Sequence, residues 1–422
     1  MSATKTIQET AKHVSAVPAT FNPFYSHDPT TADDENYEYN FLKPSFPDVK
    51  WAPLELQDVT DRGFSADKSK KNLLSAATKV DNIEPSIGTE LSGINIYELT
   101  DAQKDELALL AAERTVVILR DQPIDIHKQL DAARYYGPLH KHATTSVPKQ
   151  EGLEEVHVIY SDGAKRPDPA AFTKTELFHS DVTYELQPPS TTILQVLTAP
   201  TEGGSTIWSS GYAAYDSYSN TFQQYLETLY ASHSAHEQYN GSLQAGTNPR
   251  REPITTLHPV VRVHPVTGWK SIFVQPGFTR SLFTKKGDNV VPIPKHESDH
   301  ILNLLYRQIA DQVDSQVKVR WGKGDIVVWD NRVSAHAATF NTWPQTRLGV
   351  RSKFFHIQPH DDIPNVSLAT PHGEKPRSVE EHNALNLPSG LARSRQEQVW
   401  KEQGLQDTNV PVNLNKAKGY SD

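Results

Sequence analysis

From Ile87 onward the chain breaks into short apolar runs separated by turn residues, and this spacing restricts the fold more than any other feature. The runs VHVIY (156–160), TTILQVL (191–197), PVVRVH (259–264), SIFV (271–274), VKVRW (317–321), DIVVWD (325–330) and LGVRSKFFHI (348–357) are β-branched and aromatic, and turn signals bound nearly all of them. Many short strands with few helices predict a mainly β fold with flanking helices. A double-stranded β-helix, or jelly roll, is a standard way to close such a chain. Helices are expected at DAQKDELALLAAER (101–114), introduced by a capping box of Thr100 and Gln103, and at HKQLDAARYYG (127–137), ended by Gly137. Others are expected at HESDHILNLLYRQIADQV (296–313) and, more weakly, at TFQQYLETLY (221–230). Residues 1–85 are polar and punctuated by Pro, and read as an N-terminal extension that is partly disordered. The domain then runs over 86–357, and 358–422 forms a C-terminal tail that wraps the surface or stays loose.

Composition removes several function classes. With 42 Lys+Arg against 51 Asp+Glu, a net charge of −9 and no long basic run, nothing marks the chain for nucleic acid or an anionic membrane. No stretch approaches the ~20 apolar residues of a membrane span, and the opening MSATKTIQETAKHVSAV lacks a secretory apolar block, so a soluble, cytoplasmic protein is expected. Zero cysteines exclude a disulfide scaffold, a cysteine zinc site, an iron–sulfur cluster and a thiol nucleophile. Any metal must use His and carboxylate. The initiator is the only methionine, so the remaining chain contains no sulfur. Avoidance of oxidisable side chains would produce this, and so would sulfur economy in a protein made when sulfur is scarce.

In Phe178-His179-Ser180-Asp181 the His and Asp are two apart, which in an extended segment places both on one face. Such a triplet is common by chance among eighteen histidines, but His336, in WDNRVSAHAATF, offers a third ligand after the run DIVVWD. Two imidazoles and one carboxylate on one face of iron(II) leave positions open for substrate and oxygen. Arg347 and Arg351 are four apart in the strand-like RLGVR and share a face with Gly349 between them. Paired guanidinium groups suit two carboxylate or sulfonate groups, unless the strand face is simply solvated. His258 and His264 flank PVVRV, while His233, His236, His296 and His300 fall on expected helices or their starts, and all read as structural or surface residues. The aromatics from Tyr212 to Tyr230 read as core packing.

The motifs HSD, GGSTIW and WDNRVSAHAATFNTWPQTRLGVR, in this order and spacing, resemble the taurine dioxygenase family of iron(II)/2-oxoglutarate-dependent oxygenases. The resemblance covers roughly 86–357 and includes YYGPLHKHA, HSDVTYELQPPS, LHPVVRVHPVTG and FVQPGFT, and fungal-type members with longer ends are similar. It implies that His179, Asp181 and His336 bind Fe(II), and that Thr206 and Arg347 hold the distal carboxylate of the co-substrate 2-oxoglutarate. It further implies that Arg351 receives the anionic group of a small organic substrate, that His142 is a second substrate contact, and that Val182 and Phe278 form an apolar wall. Thr145 and Thr175 replace a Tyr and an Asn that lie near the substrate amine in the taurine enzyme. The anion end is thus kept and the amine end altered.

The implied reaction uses O2 to hydroxylate the carbon next to a sulfonate or sulfate ester, releasing sulfite or sulfate plus aldehyde, with succinate and CO2 as co-products. Relatives with the same iron motif act on aryloxyalkanoates or xanthine, which are the alternative substrates. A different class of function is a non-catalytic, metal-bearing β-sandwich that binds a small anion, with the triad as a structural site. Such a module has no need of a co-substrate clamp at Thr206 and Arg347. The resemblance also implies a dimer or higher homo-oligomer.

Overall fold

The computed structural model describes residues 37–56, 60–161, 173–286, 289–339, 341, 347–353 and 395. The expected capping box forms: the Thr100 backbone N–H donates to Gln103 Oε1 at 2.9 Å and the Gln103 N–H to Thr100 Oγ1 at 3.4 Å, opening helix Asp101–Arg114. Helix Lys71–Ala76 has no cap of its own side chains. The wholly buried carboxylate of Glu106 supplies one from the longer helix, accepting from the Leu73 N–H and from Asn72 Nδ2, both at 2.6 Å.

The architecture is a jelly roll of facing sheets with helices on the outside. The larger sheet orders its strands Lys79–Asn82, Thr89–Ser92, Val116–Leu119, Ile326–Asp330, Thr191–Thr198, Arg347–Lys353 and Val156–Ser161. Its central strands are buried on both faces, which is why they read as continuous apolar runs rather than alternating ones. Val117, Leu119, Ile193, Ile326 and Val328 pack outward with Leu107, Leu110 and Ala111 of helix Asp101–Arg114. Val116, Ile118, Leu194, Val196, Val327 and Trp329 point inward, where they meet Trp208, Val317, Val319 and Trp321 of the smaller sheet. Each such side chain contributes roughly 1.5–3 kcal/mol relative to exposure. The smaller sheet orders Gln316–Val319, Thr206–Ser210 and Ser334–Ala338. A four-stranded sheet, Thr255–Pro259, Leu229–Ser234, Thr279–Lys286 and Asn289–Pro292, continues the wall.

Two local readings change. The expected helix over 221–230 stops at Leu226, and Leu229–Ser234 is a buried strand, so His233 lies on a strand and not at a helix start. The reason is pairing on both sides, with His233 opposite Thr256 and Thr279, which overrides local helix propensity. The boundary at residue 86 also falls between two paired strands, Lys79–Asn82 and Thr89–Ser92, and Leu73 joins the core upstream of it.

His233 and His258 are both fully buried, with ring centroids 5.2 Å apart. Burial, reinforced by the Arg262 charge, lowers His233 to about 3 and holds His258 well below the ordinary imidazole range. The folded state therefore binds fewer protons than the unfolded state below the unfolded value of about 6.5. Stability should be full above pH ~6.5 and fall towards pH 3, by about 1.4 kcal/mol per pH unit for each such histidine. Denaturant unfolding of His233→Gln between pH 7 and 4 should give a slope shallower by about that amount.

Candidate metal centre and its surroundings

The HSD segment and strand Ser334–Ala338 meet in one antiparallel bridge. The His179 N–H donates to the His336 carbonyl at 3.0 Å, and the His336 N–H donates to the His179 carbonyl at 2.7 Å. The two rings consequently lie 4.3 Å apart, and each Nε2 faces Asp181 Oδ1, at 3.8 Å from His179 and 3.9 Å from His336. One ligand atom from each of the three residues lies within 4.8 Å of the others. His179 Nδ1 lies 3.1 Å from the Leu177 carbonyl, so this nitrogen carries the proton and Nε2 presents its lone pair. Two neutral imidazoles and a carboxylate fit iron(II) by the chemistry of the donor set.

Neighbouring residues fix these ligands. Asn331, wholly buried, accepts from the Asp181 N–H at 2.7 Å and donates Nδ2 to the Asp181 carbonyl at 3.0 Å. Ser180 Oγ donates to the Ser334 carbonyl at 2.6 Å. His336 stacks on Trp208 and packs against Trp329, at 6.1 and 5.1 Å between centroids, so its ring rests on the inner face of the larger sheet. Gly277 leaves room for His179, since a Cβ there would approach that of His179 to 2.9 Å. Val182, next after Asp181, has φ +43°, a left-handed conformation unfavourable for a β-branched residue. It is held in a cluster with Tyr184, Ala235, Phe278 and Leu54. The anticipated wall residues Val182 and Phe278 are thus in one apolar cluster. Thr183 Oγ1 is bonded to Gln275 Nε2 and His233 Nδ1, which pins the next turn.

Thr206 pairs with Ala338, two residues beyond His336, and accepts from Trp321 Nε1 at 3.1 Å. His142 is buried, and its Nδ1 accepts from the backbone N–H groups of Thr144 and Thr145, each at 3.2 Å. The remaining proton must then sit on Nε2, a donor suited to an anion. Arg347 and Arg351 stand opposite Ser161 and His157 in the larger sheet, while their side chains lie outside the described residues. Position 351 also faces Leu194, and position 349 faces Val196, both on the inner face. The His157 ring lies 5.5 Å from that of His142, linking the two regions. Thr175 is in a single 3-10 turn before His179, and Thr145 is buried. Asn331 and Gly277 fall within the motifs WDNRVSAHAATF and FVQPGFT, which mark their presence but not their roles, while no sequence signal points to Leu54.

Asn331→Ala should leave the Asp181 backbone without its two clamps. Titration with cobalt(II) as a spectroscopic substitute should show metal affinity about 10–100-fold weaker.

A family match and two sets of relatives bear on this site. The family described as "Taurine catabolism dioxygenase TauD, TfdA family" matches residues 79–352. A protein of Schizosaccharomyces pombe, named as a candidate alpha-ketoglutarate-dependent sulfonate dioxygenase, is 40% identical over 75% of this chain and 79% of its own length. An alpha-ketoglutarate-dependent sulfonate dioxygenase of Saccharomyces cerevisiae is 34% identical over 79% of this chain and 80% of its own. The crystal structure of a taurine dioxygenase from Burkholderia xenovorans superposes with a TM-score of 0.54 at 25% identity, covering 66% of this chain and 90% of that one. With the His179, Asp181 and His336 cluster at the meeting of the sheets, the chain belongs to the TauD/TfdA family of iron(II)- and 2-oxoglutarate-dependent dioxygenases.

Proposed function

We propose that this dioxygenase oxidises the carbon next to a sulfonate, or alternatively a sulfate ester, using His179, Asp181 and His336 to hold iron. The observation that carries the residue assignment is the facing of two inner walls. The metal cluster lies on the smaller sheet and its His336 ring rests against Trp329 of the larger one. The larger sheet offers two arginine positions on a strand beside Leu194 and Val196. Similarity to the two sulfonate dioxygenases supports the substrate class.

Iron with 2-oxoglutarate and O2 supplies the oxidising chemistry, with succinate and CO2 as co-products. This chain binds and orients. Thr206 and Arg347 hold the distal carboxylate of 2-oxoglutarate, which places one anion at one end of strand Arg347–Lys353. Arg351 and the Nε2–H of His142 hold the sulfonate at the other, so that one C–H bond is presented to the metal. Val182 and Phe278 exclude water from that bond. Hydroxylation of the carbon bearing sulfur gives a product that collapses to aldehyde and sulfite. The catalytic unit is proposed to span residues 86–357, completed by upstream residues packed on it from Tyr39 and Leu42 onward, and the location to be cytoplasmic. No helix among the described residues is long and apolar enough to cross a membrane.

Succinate formation should be measured with iron(II), ascorbate, 2-oxoglutarate and oxygen across taurine, alkylsulfonates, an alkyl sulfate, an aryloxyacetate and xanthine. Turnover stimulated by a sulfonate, with sulfite released, is expected, and stimulation by xanthine or the aryloxyacetate alone would overturn the substrate class. His179→Ala and Asp181→Ala should each abolish turnover. Arg351→Ala should raise KM for the sulfonate by about 10–100-fold, as expected for loss of a charged hydrogen-bonded contact, with 2-oxoglutarate affinity unchanged. Equal loss of both would show that the two arginines have exchanged roles.

A further inference from the structure

We propose that residues 50–56 form the outer wall of the substrate chamber and that Leu54 limits the length of alkyl chain accepted. This deepens the sulfonate reading and rests on it. The segment lies upstream of the family match at 79–352. It is nevertheless fastened to the domain at four points: the Trp51 N–H donates to the Arg250 carbonyl at 2.6 Å, Lys50 Nζ to the Pro249 carbonyl at 2.9 Å, and Arg251 Nε to the Ala52 carbonyl at 3.2 Å, while the Arg250 guanidinium lies 4.7 Å from the Trp51 ring.

The same two arginines hold the turn that carries His142. Arg250, wholly buried, donates to the carbonyls of His142 and Thr145, and Arg251 donates to the Lys141 carbonyl at 2.8 Å and to the buried Glu185 carboxylate at 3.3 Å. Position of the segment and position of the anion-binding turn are therefore set by one pair of side chains.

Leu54 reaches inward from this anchored segment. It packs on the cluster of Val182, Tyr184, Ala235 and Phe278, which contains both residues of the apolar chamber wall. It also lines a cavity of about 250 Å³ whose apolar side is made with Trp51, Leu56, Leu186 and Ile254 and whose polar side is made by Glu185, Gln187, Arg251 and Glu252. That volume is just under the range of small-molecule pockets, about 300–1,000 Å³. Leu54 thus touches both the wall and the apolar side of this cavity. Shortening it joins the two, and each methylene of a substrate tail that then leaves water gains roughly fourfold in affinity.

The full-length protein, Leu54→Ala and Leu54→Phe should be compared on linear sulfonates from ethane- to octanesulfonate. The readouts are kcat/KM from succinate formation, and dissociation constants for the sulfonates and 2-oxoglutarate from calorimetry without oxygen. Leu54→Ala should raise the octane-to-ethane ratio of kcat/KM by about tenfold or more, mainly through KM, and Leu54→Phe should lower it. Affinity for 2-oxoglutarate should not change. If Leu54→Ala fails to fold, the ratio for Leu54→Phe decides. Equal changes at every chain length, or an unchanged ratio in an active variant, would overturn the wall while leaving the sulfonate reading intact. No sulfonate-stimulated turnover by the unsubstituted protein would overturn both.

Discussion

Two backbone hydrogen bonds between His179 and His336 determine what the centre of this molecule can be. One belongs to an irregular segment and the other to a strand of the smaller sheet, so sequence separation between ligands becomes irrelevant once the bridge forms. A bridge of this kind fixes backbone spacing, and backbone spacing places the two rings 4.3 Å apart. Asp181 then needs to lie two residues on, with its backbone held by Asn331. The cost is visible at Val182, where a β-branched residue takes a left-handed conformation that its apolar neighbours over-determine.

Around this bridge the two sheets divide the work. The smaller one carries His336 and, opposite Ala338 two residues further on, Thr206. The larger one contributes Trp329 behind the metal cluster and the arginine positions beyond it. Double-sided burial of its central strands gives it rigidity, because each inward side chain is backed by an outward one against helix Asp101–Arg114. Rigidity matters for a centre whose contribution is alignment of one C–H bond.

How much of this was legible in the sequence follows from the range of the forces involved. Helix Asp101–Arg114 and its cap are local and were readable from Thr100 and Gln103. Most long apolar runs became strands of the larger sheet, since burial on both faces leaves an unmistakable composition. Leu229–Ser234 was not legible: LETLY has helical spacing, and its strand state comes from partners at Thr256 and Thr279. The grouping of His179, Asp181 and His336 was readable because donor chemistry narrows the choice of residue types. The roles of Gly277, although it lies in the motif FVQPGFT, and of Leu54 were not, because they consist of the space left or filled beside residues far away in the chain.

The upstream segment shows how the same limits apply to domain boundaries. Polar composition and frequent Pro suggested an extension, yet Asp61 is buried and its carboxylate lies 3.2 Å from Arg332. Arg332 also donates to both oxygens of Asp330, and Oδ2 accepts in addition from His264 Nε2 at 3.0 Å. The guanidinium and imidazole beside it hold the Asp330 carboxyl far below the ordinary carboxylate range despite its burial. An isolated charge at any of these sites would be strongly unfavourable, so each depends on the others. Asp330 and Arg332 flank Asn331, the clamp on Asp181. The segment containing Asp61 thereby shares the buried guanidinium of the turn that carries Asn331, and this one carboxylate belongs to the core of the fold while most polar residues around it stay exposed.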